Sequence, residues 1–182
     1  DVVRAAMLAW WGGGPSGLSL NEVCRHTGLS KSSLYREYGG EDGLMAAALE
    51  AYRERVVLPL LDLLDDEAEP SAVVDRVLDY LGGARPLPAG CFFTQLRLSP
   101  DRLGEATAAL LARLAEERRT AFARWSRGLA ARGRLSPALV PDEAAAYLDA
   151  QLTLLLVRLG AEDDRDDVFR DARRALGVLF AA

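Results

Sequence analysis

Leu20-Asn21-Glu22-Val23-Cys24-Arg25-His26-Thr27-Gly28-Leu29-Ser30-Lys31-Ser32-Ser33-Leu34-Tyr35-Arg36-Glu37-Tyr38-Gly39-Gly40 decides the fold. It reads as a helix, a tight turn and a second helix, followed from Glu41 by a long apolar-periodic run. Ser19 can cap the free amides of the first helix while Glu22, three residues on, reaches back in a capping box. Leu20, Val23 and Cys24 are expected on its inward face. Gly28 stands where a helix ends in a left-handed conformation, which costs glycine least, and Leu29 fills the space between the helices. Ser30 opens the second helix, with Leu34 and Tyr38 inward at i, i+4 and Lys31, Ser32, Ser33, Tyr35 and Arg36 spread over its other faces. Two helices joined by a turn of this kind, the second presenting polar residues near its N-terminus, have the geometry that enters a DNA major groove. An ordinary αα-hairpin inside a helical core would use the same capping chemistry.

The order Val23-Cys24, Thr27-Gly28-Leu29-Ser30-Lys31-Ser32-Ser33-Leu34-Tyr35-Arg36, Tyr38 and Leu44 resembles the helix-turn-helix signature of TetR-type (TetR/AcrR) transcriptional regulators. In that resemblance Trp10 takes the place of a core phenylalanine and Gly14 that of a helix-ending glycine. The likeness is strong over residues 2–50 and covers the rest in outline only. It implies an all-α chain: an N-terminal three-helix DNA-binding head over residues 1–45 and a larger helical ligand-binding and dimerisation body over 46–182.

Elsewhere the signals are those of helices. Val2 to Trp11 forms the first, with Trp10 in the core and Trp11 more exposed, and Gly12-Gly13-Gly14-Pro15 stops it. The run Leu44, Met45, Ala48, Leu49, Tyr52, Val56, Leu60 makes a connecting helix that Pro59 should kink or end. An acidic stretch from Asp62 to Glu69 precedes a helix from Ser71 to Leu81 capped by Ser71, and residues 82–90 form a loop by composition. Cys91 to Leu98 is a short apolar helix. Gly90-Cys91 followed by large apolar residues is also similar to one common body type of the family. Ser99-Pro100-Asp101 is expected to start a helix running to about Arg132, with Leu110, Leu111, Leu114, Phe122, Trp125 and Leu129 inward. Pro141 opens the next helix, and Asp163 to Asp167 seeds the last.

The 182 residues carry a net charge of −5, and the first fifty hold two more acids than bases, a weak balance for a phosphate-binding head. Lys31, Arg36 and the dipole at the start of the second helix are what could make the contact face positive. The chain departs from the family pattern at Glu37 and Glu41, where a histidine and a lysine are frequent; acids there face phosphates poorly. It opens on Asp1 rather than methionine, and the contents of any N-terminal arm ahead of it are not legible in this sequence. No apolar stretch is long enough for a membrane span and no signal peptide is evident, which predicts a cytoplasmic protein with no membrane partner. Cys24 and Cys91 read as two buried thiols and His26 as a solvated helix residue, so no metal or other cofactor is expected.

No nucleophile–base pair, paired carboxylates or phosphate loop is credible, which argues against an enzyme. DNA contacts are assigned to Lys31, Ser32 and Ser33 at base edges and to Ser19, Tyr35 and Arg36 at phosphates. The resemblance further implies an apolar ligand cavity in the body. Its candidate lining is Tyr52, Phe92, Phe93, Phe122, Trp125 and Tyr147, with Thr94, Gln95, Arg97 and Gln151 as the polar groups that orient a small-molecule effector. Most of these aromatics would otherwise be plain core. Cys91 reads as a packed thiol or as a reactive one. Residues 144–159 are apolar around most of their circumference, so a second copy is expected to cover Leu152, Leu155, Leu156, Leu159, Phe169, Leu176 and Phe180 in a four-helix homodimer interface. The expected function is a ligand-responsive repressor that binds a pseudo-palindromic operator on double-stranded DNA. The alternative is a helical dimer of the same fold that has lost its operator and binds a small molecule or a protein.

Overall fold

Where a helix begins in this molecule is set by which group satisfies its first free amides. The computed structural model describes residues 1–64, 67–83 and 87–181; residues 65–66 of the expected acidic stretch and 84–86 of the expected loop lie outside them. Asp1 caps α1 (Val2–Gly13) through Val3 N, and Gly14 closes it. Ser19 caps α2 (Leu20–Thr27) and Ser30 caps α3 (Lys31–Tyr38), as the local chemistry predicts. α4 (Glu41–Tyr52) passes into a π turn over Arg53–Val57 and then into α5 (Leu58–Leu61). Pro59 offers no amide to the turn before it, and the helix widens there instead of continuing regularly.

Two helix starts differ from expectation. α6 spans Pro70–Gly82 with proline in its first turn and Glu69, not Ser71, at the cap position; proline's fixed φ suits that turn and needs no donor. After α7 (Phe92–Arg97), Pro100–Arg102 makes only a 3-10 turn, and the long helix α8 begins at Glu105 rather than Ser99 and runs to Ala131. Its opening amides are capped from a distance. The Asp42 carboxylate accepts from Ala106 N at 2.8 Å and Thr107 N at 3.1 Å, and the Thr107 hydroxyl donates to the Asp42 carbonyl at 3.1 Å. Gly104 lets the carboxylate in: a Cβ there would stand 2.3 Å from Asp42 Cγ. α9 (Pro141–Gly160) and α10 (Arg165–Gly177) complete the chain, the latter capped by Asp164 through Asp167 N. Among the described residues the one extended pairing is an isolated bridge between Leu135 and Phe180.

Two compact units result, Asp1–Val57 with Cys91–Leu114 and Leu58–Gly90 with Ala115–Ala182. The expected boundary at residue 45 falls inside α4, whose Leu44, Met45, Ala48, Leu49 and Tyr52 are all buried, and α4 packs on α1. In this first unit Trp10 is core as expected, but so is Trp11, its ring edge-on to Tyr52 at 5.0 Å. Val23 and Leu34 are fully buried, whereas Leu20, Cys24 and Tyr38 are half-buried. Cys24 is therefore not the buried thiol expected; both cysteines are free. His26 is exposed.

In the second unit Phe122, Trp125 and Leu129 of α8 face inward with Leu148, Leu152, Leu155 and Leu156 of α9 and Val168, Phe169, Ala172 and Leu176 of α10. Of the residues expected at a dimer interface, none lies fully open to solvent. Leu152, Leu155, Leu156, Phe169 and Leu176 are covered by their own chain, and Leu159 and Phe180 are half-covered. The large apolar side chains that α9 leaves to solvent are Leu154 and Val157, 51% and 46% exposed. A helix apolar on nearly every side carries no sequence signal for which leucines face home. Arg118, almost wholly buried on α8, pairs with Asp149 of α9 at 2.5 Å, while Arg134–Glu69 at 2.6 Å lies at the surface.

Candidate nucleic-acid interface

α2 and α3 are short, and their ends are held by named hydrogen bonds rather than by length. At the start of α2, Ser19 N and Ser19 Oγ donate to the Glu22 carboxylate at 2.8 and 2.7 Å, and Glu22 N donates back to Ser19 Oγ at 3.4 Å. The backbone amide of Ser19, then its hydroxyl, hold the Glu22 carboxyl below the usual glutamate range. Ser19 is thus occupied as a cap, although exposed. At the turn Gly28 takes φ 73°, and the Thr27 hydroxyl donates to Val23 O at 2.9 Å while accepting from Leu29 N at 3.3 Å.

Ser30 then organises the start of α3. Its hydroxyl accepts from Ser33 N at 3.1 Å, lies 2.9 Å from Ser32 Oγ and donates to Ser33 Oγ at 3.0 Å. Lys31, Ser32, Tyr35 and Arg36 are exposed on one face at i, i+1, i+4, i+5, with Tyr35 59% exposed. Ser33, assigned with Lys31 and Ser32 to base edges, is placed differently from them. It is half-buried, and its hydroxyl is engaged by Ser30 and approached by Arg36 at 3.5 Å, so it shapes the turn.

Neither anomalous acid points a bare charge outward. Arg36 pairs with Glu37 at 2.9 Å, which also engages the second cation of the exposed α3 face. Glu41 pairs with Arg102 at 2.9 Å. Sequence spacing gave no sign of that partner, 61 residues away.

The effector candidates divide between the units. In the first, Tyr52 sits edge-on to Trp11 and, at 5.8 Å, to Phe92, while its hydroxyl lies 3.2 Å from Cys91 Sγ. Cys91 is buried and caps α7 by accepting from Thr94 N at 3.4 Å. Gln95 Nε2 donates to Trp11 O at 3.1 Å, leaving Gln95 Oε1 buried with no hydrogen-bond partner among the described residues. Arg97 lies over the Phe93 ring at 5.7 Å. In the second unit, Phe122 and Trp125 are core, and Tyr147 donates to Ala175 O of α10 at 3.2 Å. Gln151 lines a cavity of about 110 Å³ between α9 and α10 with Leu154, Leu155 and Arg158. Tyr147 and Gln151 therefore turn toward α10.

No family model matches the chain. The HTH-type transcriptional repressor ComR of Escherichia coli (strain K12) is 30% identical over 123 residues, 63% of this chain and 57% of that protein. Among solved structures, a TetR family transcriptional regulator from Agrobacterium tumefaciens superposes with a TM-score of 0.84 at 17% identity, covering 100% of this chain and 96% of that one. Regulatory protein TetR from Rhodobacter sphaeroides gives 0.81 at 24% identity, over 99% and 97%. A cysteine-substituted form of the TetR family regulator CifR, solved with 26 bp double-strand operator DNA, gives 0.80 at 23% identity, over 98% and 94%. The chain has the all-α fold of the TetR-type transcriptional regulators, with an N-terminal helix-turn-helix.

Proposed function

We propose, on the premise of a fold shared with TetR-type transcriptional regulators, that this chain is a homodimeric repressor. It binds a pseudo-palindromic operator on duplex DNA and is released by a small apolar or amphipathic effector. The observation that carries the reading is α3: a capped, eight-residue helix that keeps Lys31, Ser32, Tyr35 and Arg36 on one exposed face while burying Leu34. That CifR has been solved with operator DNA and that ComR is named a repressor support the same reading. For the effector we keep Tyr52, Phe92, Phe93, Thr94 and Gln95, all of which belong to the first unit. An enzymatic role is not part of the reading.

One observation favours a second reading, a module of the same fold without an operator. The Arg36–Glu37 pair leaves the reading face with little positive charge. Selection of duplex fragments from a randomised library, followed by mobility shifts across a salt series, separates the two. The first reading expects a retained palindromic fragment, and Lys31→Ala should weaken its binding and lower the salt slope by about one. A library from which nothing is retained would leave the second.

A further inference from the structure

The residues ahead of α8 do more than connect it to α7. Arg102, at the end of the 3-10 turn, reaches three acceptors with one guanidinium. Nε donates to Pro15 O at 3.2 Å, and Nη2 donates to Leu18 O at 3.3 Å and to Glu41 Oε1 at 2.9 Å. Pro15 and Leu18 belong to the loop that leads into α2, and Glu41 is the first residue of α4. A single side chain from outside the helix-turn-helix thus ties together the two ends of the segment that contains α2 and α3. A planar fork with donors in fixed directions can do this; a lysine ammonium brings the charge without the fork. Next to it, Asp42 is held by the start of α8, so both acids that open α4 are fastened to residues 102–107.

We propose that Arg102 is a positioning residue of the reading head. It fixes the entry to α2 against the first turn of α4, and it neutralises Glu41 beside the helix assigned to DNA. The second half rests on the DNA-binding reading; the first does not. Without the guanidinium, two backbone carbonyls lose charge-assisted donors and Glu41 confronts the phosphates as a bare acid.

The test uses the full chain as Arg102→Ala, Arg102→Lys, Glu41→Gln and the double variant Arg102→Ala/Glu41→Gln. Two readouts are taken. One is amide hydrogen exchange across residues 15–27; the other is affinity, over a salt series, for the duplex fragment that the unaltered chain selects from a randomised library. Exchange in 15–27 should quicken in Arg102→Ala and in the double variant alike, and less in Arg102→Lys. Affinity should fall about tenfold in Arg102→Ala, as for other coupled side chains, with part of the loss recovered in the double variant because the bare acid is gone. Arg102→Lys should keep the salt slope while losing affinity, a split that a general loss of stability would not produce. If the alanine form does not fold, the lysine form carries the same comparison. Unchanged exchange in 15–27 in the soluble variants overturns the positioning role whatever happens to DNA. Quickened exchange in a chain that selects no fragment upholds the positioning and sinks the DNA-binding reading instead. Quickened exchange with undiminished affinity shows that the restraint does not serve DNA, and overturns the second half alone.

Discussion

Asp42 does at a distance what serines do locally elsewhere in the chain. Burial by itself would push its carboxyl up, but the neighbouring Thr107 side chain and the Ala106, Thr107 and Gly104 amides outweigh that and hold it below the usual aspartate range. A carboxyl depressed on folding contributes stability that is complete above the ordinary aspartate value of about 3.9. That contribution is lost as pH falls through the lower folded value. Asp42→Ala should therefore cost about 1 kcal/mol, the usual worth of a helix cap, in urea unfolding near neutral pH. Asp42→Asn should flatten the acid limb of the stability curve below about pH 4, and an unaltered limb would assign that limb to other carboxylates. The two acids near α3, the helix proposed to meet DNA, should behave differently from each other. Glu37→Gln frees Arg36 for phosphate and should tighten DNA binding severalfold. Glu41→Lys places a cation against Arg102 and should weaken it, although by sequence pattern alone both changes would be improvements. Mobility shifts at one salt concentration decide between these signs.

At the scale of elements, legibility followed sequence distance. The starts of α2, α3 and α10 were readable because Ser19, Ser30 and Asp164 cap amides three residues on. The start of α8 was not, since its cap lies 64 residues upstream at Asp42, and a Ser-Pro pair at 99–100 imitates a helix start that the chain uses only for one 3-10 turn. On α3 the exposure of Lys31, Ser32, Tyr35 and Arg36 follows from the apolar pair Leu34 and Tyr38 at i, i+4, whereas the inward lean of Ser33 depends on a hydroxyl relay that spacing does not encode. Helix pairing in the second unit offers a contrast of two ion pairs. Asp149→Ala removes one partner of the nearly buried Arg118 of α8 and should cost about 1–3 kcal/mol. Glu69→Ala removes an exposed partner of Arg134 and should cost little, because solvent screens the pair. Equal losses in thermal or urea unfolding would mean that Arg118 is satisfied without Asp149.

For the whole molecule the open question is what a second copy would cover. No helix among the described residues is long and apolar enough to cross a membrane, so Leu154 and Val157 do not belong to a span. They follow Ala146 and Ala150 along one exposed edge of α9 at spacings of four, four and three, the signature of a helix face. Leu155, one position away, is 2% exposed and packed within its own unit. A homodimer through α9 should therefore be broken by a charge at the outer position and the chain itself by a charge at the inner one. Forcing an unpartnered arginine into either seam costs on the order of several kcal/mol, comparable to the stability of a domain. Leu154→Arg, or Leu154→Arg with Val157→Arg, should give a folded monomer, with an unchanged far-UV spectrum and half the sedimenting mass. Leu155→Arg should lose helicity and melting cooperativity together. A Leu154→Arg/Val157→Arg chain that still sediments as a dimer would move the interface off this edge of α9, because two buried arginines facing their own symmetry mates repel as well as pay desolvation.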